Sequence, residues 1–320
     1  MKNFVNLRKI KLIALMFLFS SVLYAQSEQN KKAKIEKYED SMFWEITGTD
    51  KNGNESKIYV LGTIHYGDDR LYPIPNYILL AFNSADTVCW ELSFDDFANV
   101  LPETQKRMMQ EREENLKENR IIYNYLSENE IKFLEKKIGK SNLVNYMSYN
   151  PWVLTSALDS KCTENTNLKS DKSYDMFFFK YCNILNTEIR ALDTLQIQMD
   201  VIAYGDYDYQ IDKLKQSIKE YKKIKHPENE LQKLYELYLT HDEKKVADYY
   251  TKVLENESEE YLNALIYKRN KSWVEQFKQM LDEGGITFVF AGTAHFIGEG
   301  SVFDLLRKEE FIGESEIKKK

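Results

Sequence analysis

Two stretches of this chain, 230 residues apart (295 − 65), are built to one plan. KIYVLGTIHYGDD, from Lys57, and ITFVFAGTAHFIGEG, from Ile286, each run several apolar residues into Gly-Thr-x-His, then an aromatic residue, a further Gly and acids. Laying Gly62 on Gly292 puts His65 on His295 and Tyr66 on Phe296. Copies so widely spaced are not a solenoid repeat, whose period is a few tens of residues. A short apolar run rich in β-branched and aromatic residues and stopped by Gly reads as a buried strand. Two such runs predict interior strands of a parallel or mixed sheet, with Gly allowing a sharp turn after each. Ligands of open α/β sheets sit beyond the carboxyl ends of the strands, which is where both imidazoles are expected. The chain has four histidines, and two occupy this repeated position.

The remaining sequence fits an α/β fold: a mixed sheet of two pseudo-related strand-GxxH-helix halves, with a large helical insertion between them. Met42 to Thr47 and the Ile58 strand flank the turn sequence GTDKNGNES and predict a hairpin. After His65, a Pro-led segment with Ile78, Leu79 and Phe82 on one side predicts a helix. TVCWEL is a further strand, and it delivers Glu91 to the edge that carries His65. Phe94 to about Lys137 is charged and helical, a solvated surface. Pro151 begins another helix, and Ser173 caps YDMFFFKYCNIL, where Asp175 complements the helix dipole. Glu188 to Leu192 reads as a strand, followed by Asp193 as a possible N-cap and a helix through Gln198. Residues 204–260 read as Tyr-, Lys- and Glu-rich helices, with His226 and His241 at the surface.

Before this domain, residues 1–25 carry Lys2, Arg8, Lys9 and Lys11 but no acid, then an apolar stretch from Leu12 to Leu23 and the small Ala25. That is the pattern of a secretory signal peptide cleaved near Ala25, and the apolar run falls short of the roughly 20 residues a bilayer span needs. The mature chain is therefore expected in a periplasmic or extracellular compartment, either soluble or associated with a membrane surface. Cleavage removes four positive charges and moves the formal charge from −7 to −11, which argues against nucleic acid as a partner. Residues 26–40 are expected to be a disordered leader, 41–313 the single folded domain and 314–320 a polar tail. Of three cysteines, Cys89 reads as a buried hydrophobe; Cys162 and Cys182 could pair in an oxidising compartment.

One helix places a charge on its apolar face. Leu262, Ile266, Trp273, Phe277 and Met280 follow spacings of three and four only if Arg269 joins the stripe. A buried guanidinium needs a partner, either a carboxylate or an anionic group of a substrate. If His65, Glu91 and His295 converge, they form the two-histidine, one-carboxylate set of a catalytic divalent site for zinc, manganese or cobalt. Asp68 or Asp69 would orient a ring nitrogen from behind. Without a metal, the same residues could serve as general base and electrostatic stabiliser.

LGTIHYGDDRLYPIP, VCWEL, ALDTLQIQ, the helical Arg269-Asn270 pair and FVFAGTAHFIGEGSVFDLLRK together resemble the TraB/GumN family, in order and over nearly all of the mature chain. That family is similar to the TIKI metalloproteases and, more distantly, to erythromycin esterases and ChaN-like haem-binding lipoproteins. The resemblance implies an α/β fold with a metal-assisted cleft, with His65, Glu91 and His295 as site residues and Arg269 and Asn270 beside them. The chain departs from the family's pattern at Asp193, where Glu is usual, and at Trp90. The reading that follows is an exported metal-dependent hydrolase acting on a peptide or small molecule, with Glu91 as ligand or base, Arg269 as substrate partner and Asp193 in support. A haem-, metal- or peptide-binding protein using the same cleft is its competitor.

Overall fold

The computed structural model describes residues 32–161, 164, 166–224, 228–255 and 257–318. The expected signal peptide, Cys162 and His226 lie outside the described residues. The strands are β1 (Lys34–Tyr38), β2 (Phe43–Thr49), β3 (Glu55–Thr63), β4 (Thr87–Trp90), β5 (Ile189–Ala191), β6 (Gly285–Gly292) and β7 (Glu316–Lys318). They form one sheet in the order β5-β4-β6-β3-β2-β1-β7. β5, β4, β6 and β3 are mutually parallel, β2 turns back on β3 as a hairpin, and β7 runs parallel to β1. This is the mixed α/β sheet expected from the repeated strands.

Helices α1 (Asn76–Asn83), α2 (Phe94–Lys117), α3 (Glu128–Ile138), α4 (Lys140–Tyr146), α5 (Pro151–Ser160) and α6 (Tyr174–Leu185) precede β5. Between β5 and β6 come α7 (Leu195–Ile202), α8 (Tyr207–Lys223), α9 (Glu228–Tyr238), α10 (Glu243–Leu254), α11 (Glu259–Leu262) and α12 (Lys268–Glu283); α13 (Val302–Lys308) follows β6. The insertion is thus two helical blocks divided by β5. Part of it has a core of its own, with Ile122, Leu134, Leu143, Leu154 and Leu214 packed apart from the sheet. The main core lies against the sheet, where Phe43, Trp44, Phe178, Phe288, Phe290 and Phe303 are fully buried.

The two copies of the motif lie side by side. β3 pairs with β6 over its length, ending with Gly62 opposite Ala291 and Thr63 opposite Gly292. The spatial register is therefore one residue off the sequence alignment. The Thr293 hydroxyl donates to the Thr63 carbonyl at 2.8 Å and ties the ends together. Neither motif glycine has positive φ, so the expected sharp turn is not their reason. Gly62 is required for space instead: a Cβ there would lie 2.9 Å from Thr293 Oγ1 and 3.0 Å from the Trp44 ring. At Gly292 the nearest atoms would be 3.6 and 3.8 Å away, an ordinary contact.

Two expectations about the chain ends are corrected. Within the segment read as a leader, residues 34–38 form β1, and within the tail, residues 316–318 form β7 beside it. Both strands are short and charged, β7 lying at the sheet edge and β1 next to it, so neither shows as an apolar run. Glu45 of β2 explains part of their hold: its buried carboxylate meets Lys318 of β7, Lys57 at 3.5 Å and the Tyr38 hydroxyl at 3.2 Å.

Two outcomes are expected. Gly62→Ala should destabilise the fold by about 1–3 kcal/mol in urea unfolding, the usual cost of overpacking, while Gly292→Ala should be tolerated. Burial disfavours the Glu45 carboxylate, but Lys318, Lys57 and Tyr38 outweigh it and hold its pKa below the usual value. Its contribution is then complete above the unfolded value of about 4.3 and is lost as pH falls through the lower folded value. Glu45→Gln should therefore cost about 1.5 kcal/mol at pH 7, and the gap from wild type should shrink as unfolding is measured in increasing acid.

Candidate functional site

Each of the four parallel strands delivers one ionisable residue to the same edge. Across the sheet these are Asp193 after β5, Glu91 after β4, His295 after β6 and His65 after β3. Local backbone bonds continue the pairing past the strands, with the Asp193 N–H donating to the Glu91 carbonyl at 2.9 Å. The helix α12 crosses this edge and adds Arg269, Asn270 and Trp273, all buried. A π-helical turn, Asn263–Tyr267, leads into it, and the Leu265 carbonyl accepts from Arg269 Nη1 at 3.2 Å. Such turns are frequent at functional sites.

Arg269 joins two carboxylates. Its Nε donates to Asp193 Oδ2 at 2.7 Å, and its Nη2 lies 2.6 Å from the same oxygen and 2.8 Å from Glu91 Oε2. The Trp273 indole N–H donates to Asp193 Oδ1 at 2.9 Å, and the Trp273 ring lies against both Arg269 and His295. Glu91 also accepts from Gln198 at 3.0 Å and from the Gly292 backbone N–H at 3.2 Å. Burial opposes ionisation of Glu91, but His65, His295 and Arg269 outweigh it and draw its pKa down to about 2. Asp193 shares the same guanidinium but lacks the imidazoles' help, so burial prevails and raises its pKa. Asp193 is not the helix cap; the Thr194 hydroxyl caps α7.

The two histidines are set differently. His295 is 6% exposed, and its Nδ1 lies 2.7 Å from Asn270 Oδ1, while the Asn270 amide donates to the Gly300 carbonyl at 2.7 Å. An amide oxygen can only accept, so Nδ1 carries the proton and Nε2 is left as the donor atom. Desolvation, then the field of Arg269, lowers the His295 pKa to about 3 and keeps the ring neutral. His65 has a side chain 65% exposed, and its Nδ1 lies 3.6 Å from Asp175 Oδ2. Asp175 raises the His65 pKa to about 9, against the desolvation of the recess.

The structure thus places His65, Glu91, His295, Arg269, Asn270 and Asp193 at one edge, and it relocates two of the expected supports. Asp68 accepts from Arg70 and from the Tyr235 hydroxyl at 2.8 Å, and Asp69 pairs with Lys172. Neither carboxylate backs a histidine; Asp175 does. Arg269 is committed to Glu91, Asp193 and the Leu265 carbonyl, so the carboxylate partner prevails over a substrate anion. Asp175, Gln198 and Trp273 belong to the site but were not singled out by sequence. For Asp175 a signal existed: 175, 178 and 182 fall on one helical face, and all three are buried.

Two imidazoles and a carboxylate are donor types that a divalent cation takes. Both rings are addressed through Nδ1, which leaves the Nε2 atoms as ligand candidates, that of His65 once it gives up the proton its raised pKa holds there near neutrality, and Glu91 Oε1 accepts only the Gly292 N–H among the described residues. Among the described residues, no group of three or more His, Cys, Asp or Glu side chains is placed so that it could hold a metal ion as it stands.

A sequence model of the TraB/PrgY/gumN family matches residues 42–314. A protein of Treponema pallidum (strain Nichols), described as uncharacterized, is 28% identical over 284 residues, covering 86% of this chain and 82% of its own. No solved structure matches the chain.

Replacing Arg269 by Met should leave two buried carboxylates unpaired. We expect it to cost about 3–5 kcal/mol in chemical unfolding, as when one partner of a buried ion pair is removed.

Proposed function

The chain belongs to the TraB/PrgY/gumN family, and from that premise we propose that it is an exported metal-dependent hydrolase, with peptides as the leading substrate class. The observation that supports the reading is the delivery of two imidazoles, each with a partner on its Nδ1 side, and a carboxylate held ionised to the same carboxyl edge of parallel strands. His65, His295 and Glu91 are the residues that would hold the ion. A divalent ion bound there would lower the pKa of its water and polarise a scissile carbonyl.

The surrounding residues have separable tasks. Asn270 sets the ring of His295, and Gln198, Arg269 and the Gly292 N–H hold Glu91. With its pKa drawn down to about 2, Glu91 is a weak proton acceptor near neutrality, which favours ligand or electrostatic duty over general base. Arg269 and Asp193 keep that carboxylate in place. His65, on the exposed side, is the residue a substrate would meet first. Export rests on the N-terminal sequence pattern. No helix among the described residues is long and apolar enough to cross a membrane.

The test is metal analysis of the purified chain together with cleavage of a mixed peptide library. Stoichiometric zinc, manganese or cobalt and turnover that falls by at least about 100-fold in His295→Ala are expected, since losing a ligand should cost no less than losing its support. A metal-free chain with no His-dependent cleavage would overturn the proposal, and a Soret band would favour haem capture.

A further inference from the structure

Asp175 has no role in the motif repeat, yet it is among the most deeply placed charges at the site. It lies in the first turn of α6, 2% exposed. Its Oδ1 accepts from the Thr63 hydroxyl at 2.7 Å and from the Trp90 indole N–H at 3.4 Å. Its Oδ2 is buried, has no hydrogen-bond partner among the described residues and lies 3.6 Å from His65 Nδ1. A carboxylate oxygen withdrawn from water without a donor is costly, so the placement calls for a compensating group. The imidazole is that group. Helix capping does not explain the residue, because Ser173 already accepts the Met176 N–H at 3.2 Å.

We propose that Asp175 is a positioning residue for His65: clamped by Thr63 and Trp90, its carboxylate fixes a proton on Nδ1 and turns Nε2 toward the open recess. At 3.6 Å the contact is an ion pair longer than a hydrogen bond, and contacts of this kind often tighten when a site is loaded. The two motif histidines are then unequal partners. His295 is oriented by a neutral amide and buried, whereas His65 is oriented by a charge and open. An anion behind an imidazole increases the donor strength of the far nitrogen, while an amide chiefly fixes its direction. His65 is therefore the stronger donor of the pair.

What Nε2 of His65 does rests on the hydrolase reading; that Asp175 sets the ring does not. The decisive measurement is ring-15N NMR on the full chain with labelled histidine, with the His65 signals assigned by comparison with His65→Gln. In the wild type at neutral pH, Nδ1 of His65 should carry a proton. In Asp175→Asn, which keeps an acceptor for Thr63 but removes the charge, the His65 signals should shift while those of His295 stay. Zinc titration should show affinity weakened about 10- to 100-fold in the same variant. A folded Asp175→Asn with unchanged His65 signals overturns the proposal, and so does an unprotonated Nδ1 in the wild type, which decides the matter even if the variant fails to fold. Should wild type bind no zinc, the metal reading falls, while the ring signals still judge Asp175.

Discussion

The pairing of β3 with β6 is the constraint on which the site depends. It joins segments from opposite ends of the chain, and the Thr293 hydroxyl bond to the Thr63 carbonyl locks their ends at 2.8 Å. Because β4 and β5 continue the parallel run, strand direction alone carries Glu91 and Asp193 to the same edge as the imidazoles. A parallel sheet needs crossovers, and here they are long helical blocks that also bring Asp175 and Arg269 to that edge. Loss of the β3–β6 register would scatter every one of these groups.

The electrostatics follow from burying several charges together. A guanidinium between two carboxylates offsets part of their desolvation, and the remaining imbalance separates their pKa values: Glu91, facing both imidazoles, stays ionised, while Asp193 is raised. Such a cluster is weak support for stability compared with apolar packing. Its geometry is better understood as holding Glu91 still, because three donors from α7, α12 and β6 converge on that one carboxylate.

Much of this was legible in the sequence, for definable reasons. Strands β3 and β6 announce themselves as apolar runs ended by the same four-residue pattern, and Arg269 was found because it breaks a helical stripe. The same count along α6 would have exposed Asp175, but an acid in a first turn has an ordinary explanation in the helix dipole, which masked its inward direction. Asp68 and Asp69 misled because nearness in sequence to His65 stood in for nearness in space; Arg70, Tyr235 and Lys172 claim them instead. β1 and β7 escaped for a different reason, since strands this short at and next to the sheet edge carry charge where the central strands carry apolar side chains.

The repeat also shows how like sequences acquire unlike chemistry. Gly-Thr-x-His ends both β3 and β6, but Thr293–His295 wind into a 3₁₀ turn that the first copy lacks, and the groups behind the two rings come from outside the motif. α12 reaches His295 with Asn270, an uncharged residue that is itself anchored to Gly300. α6 reaches the neighbourhood of His65 with a carboxylate anchored to Thr63 and Trp90. The motif thus fixes where each imidazole stands, and the inserted helices fix its charge, exposure and direction. Asymmetry of that kind is what a site needs if one ring is to remain a buried support while the other faces an incoming ligand.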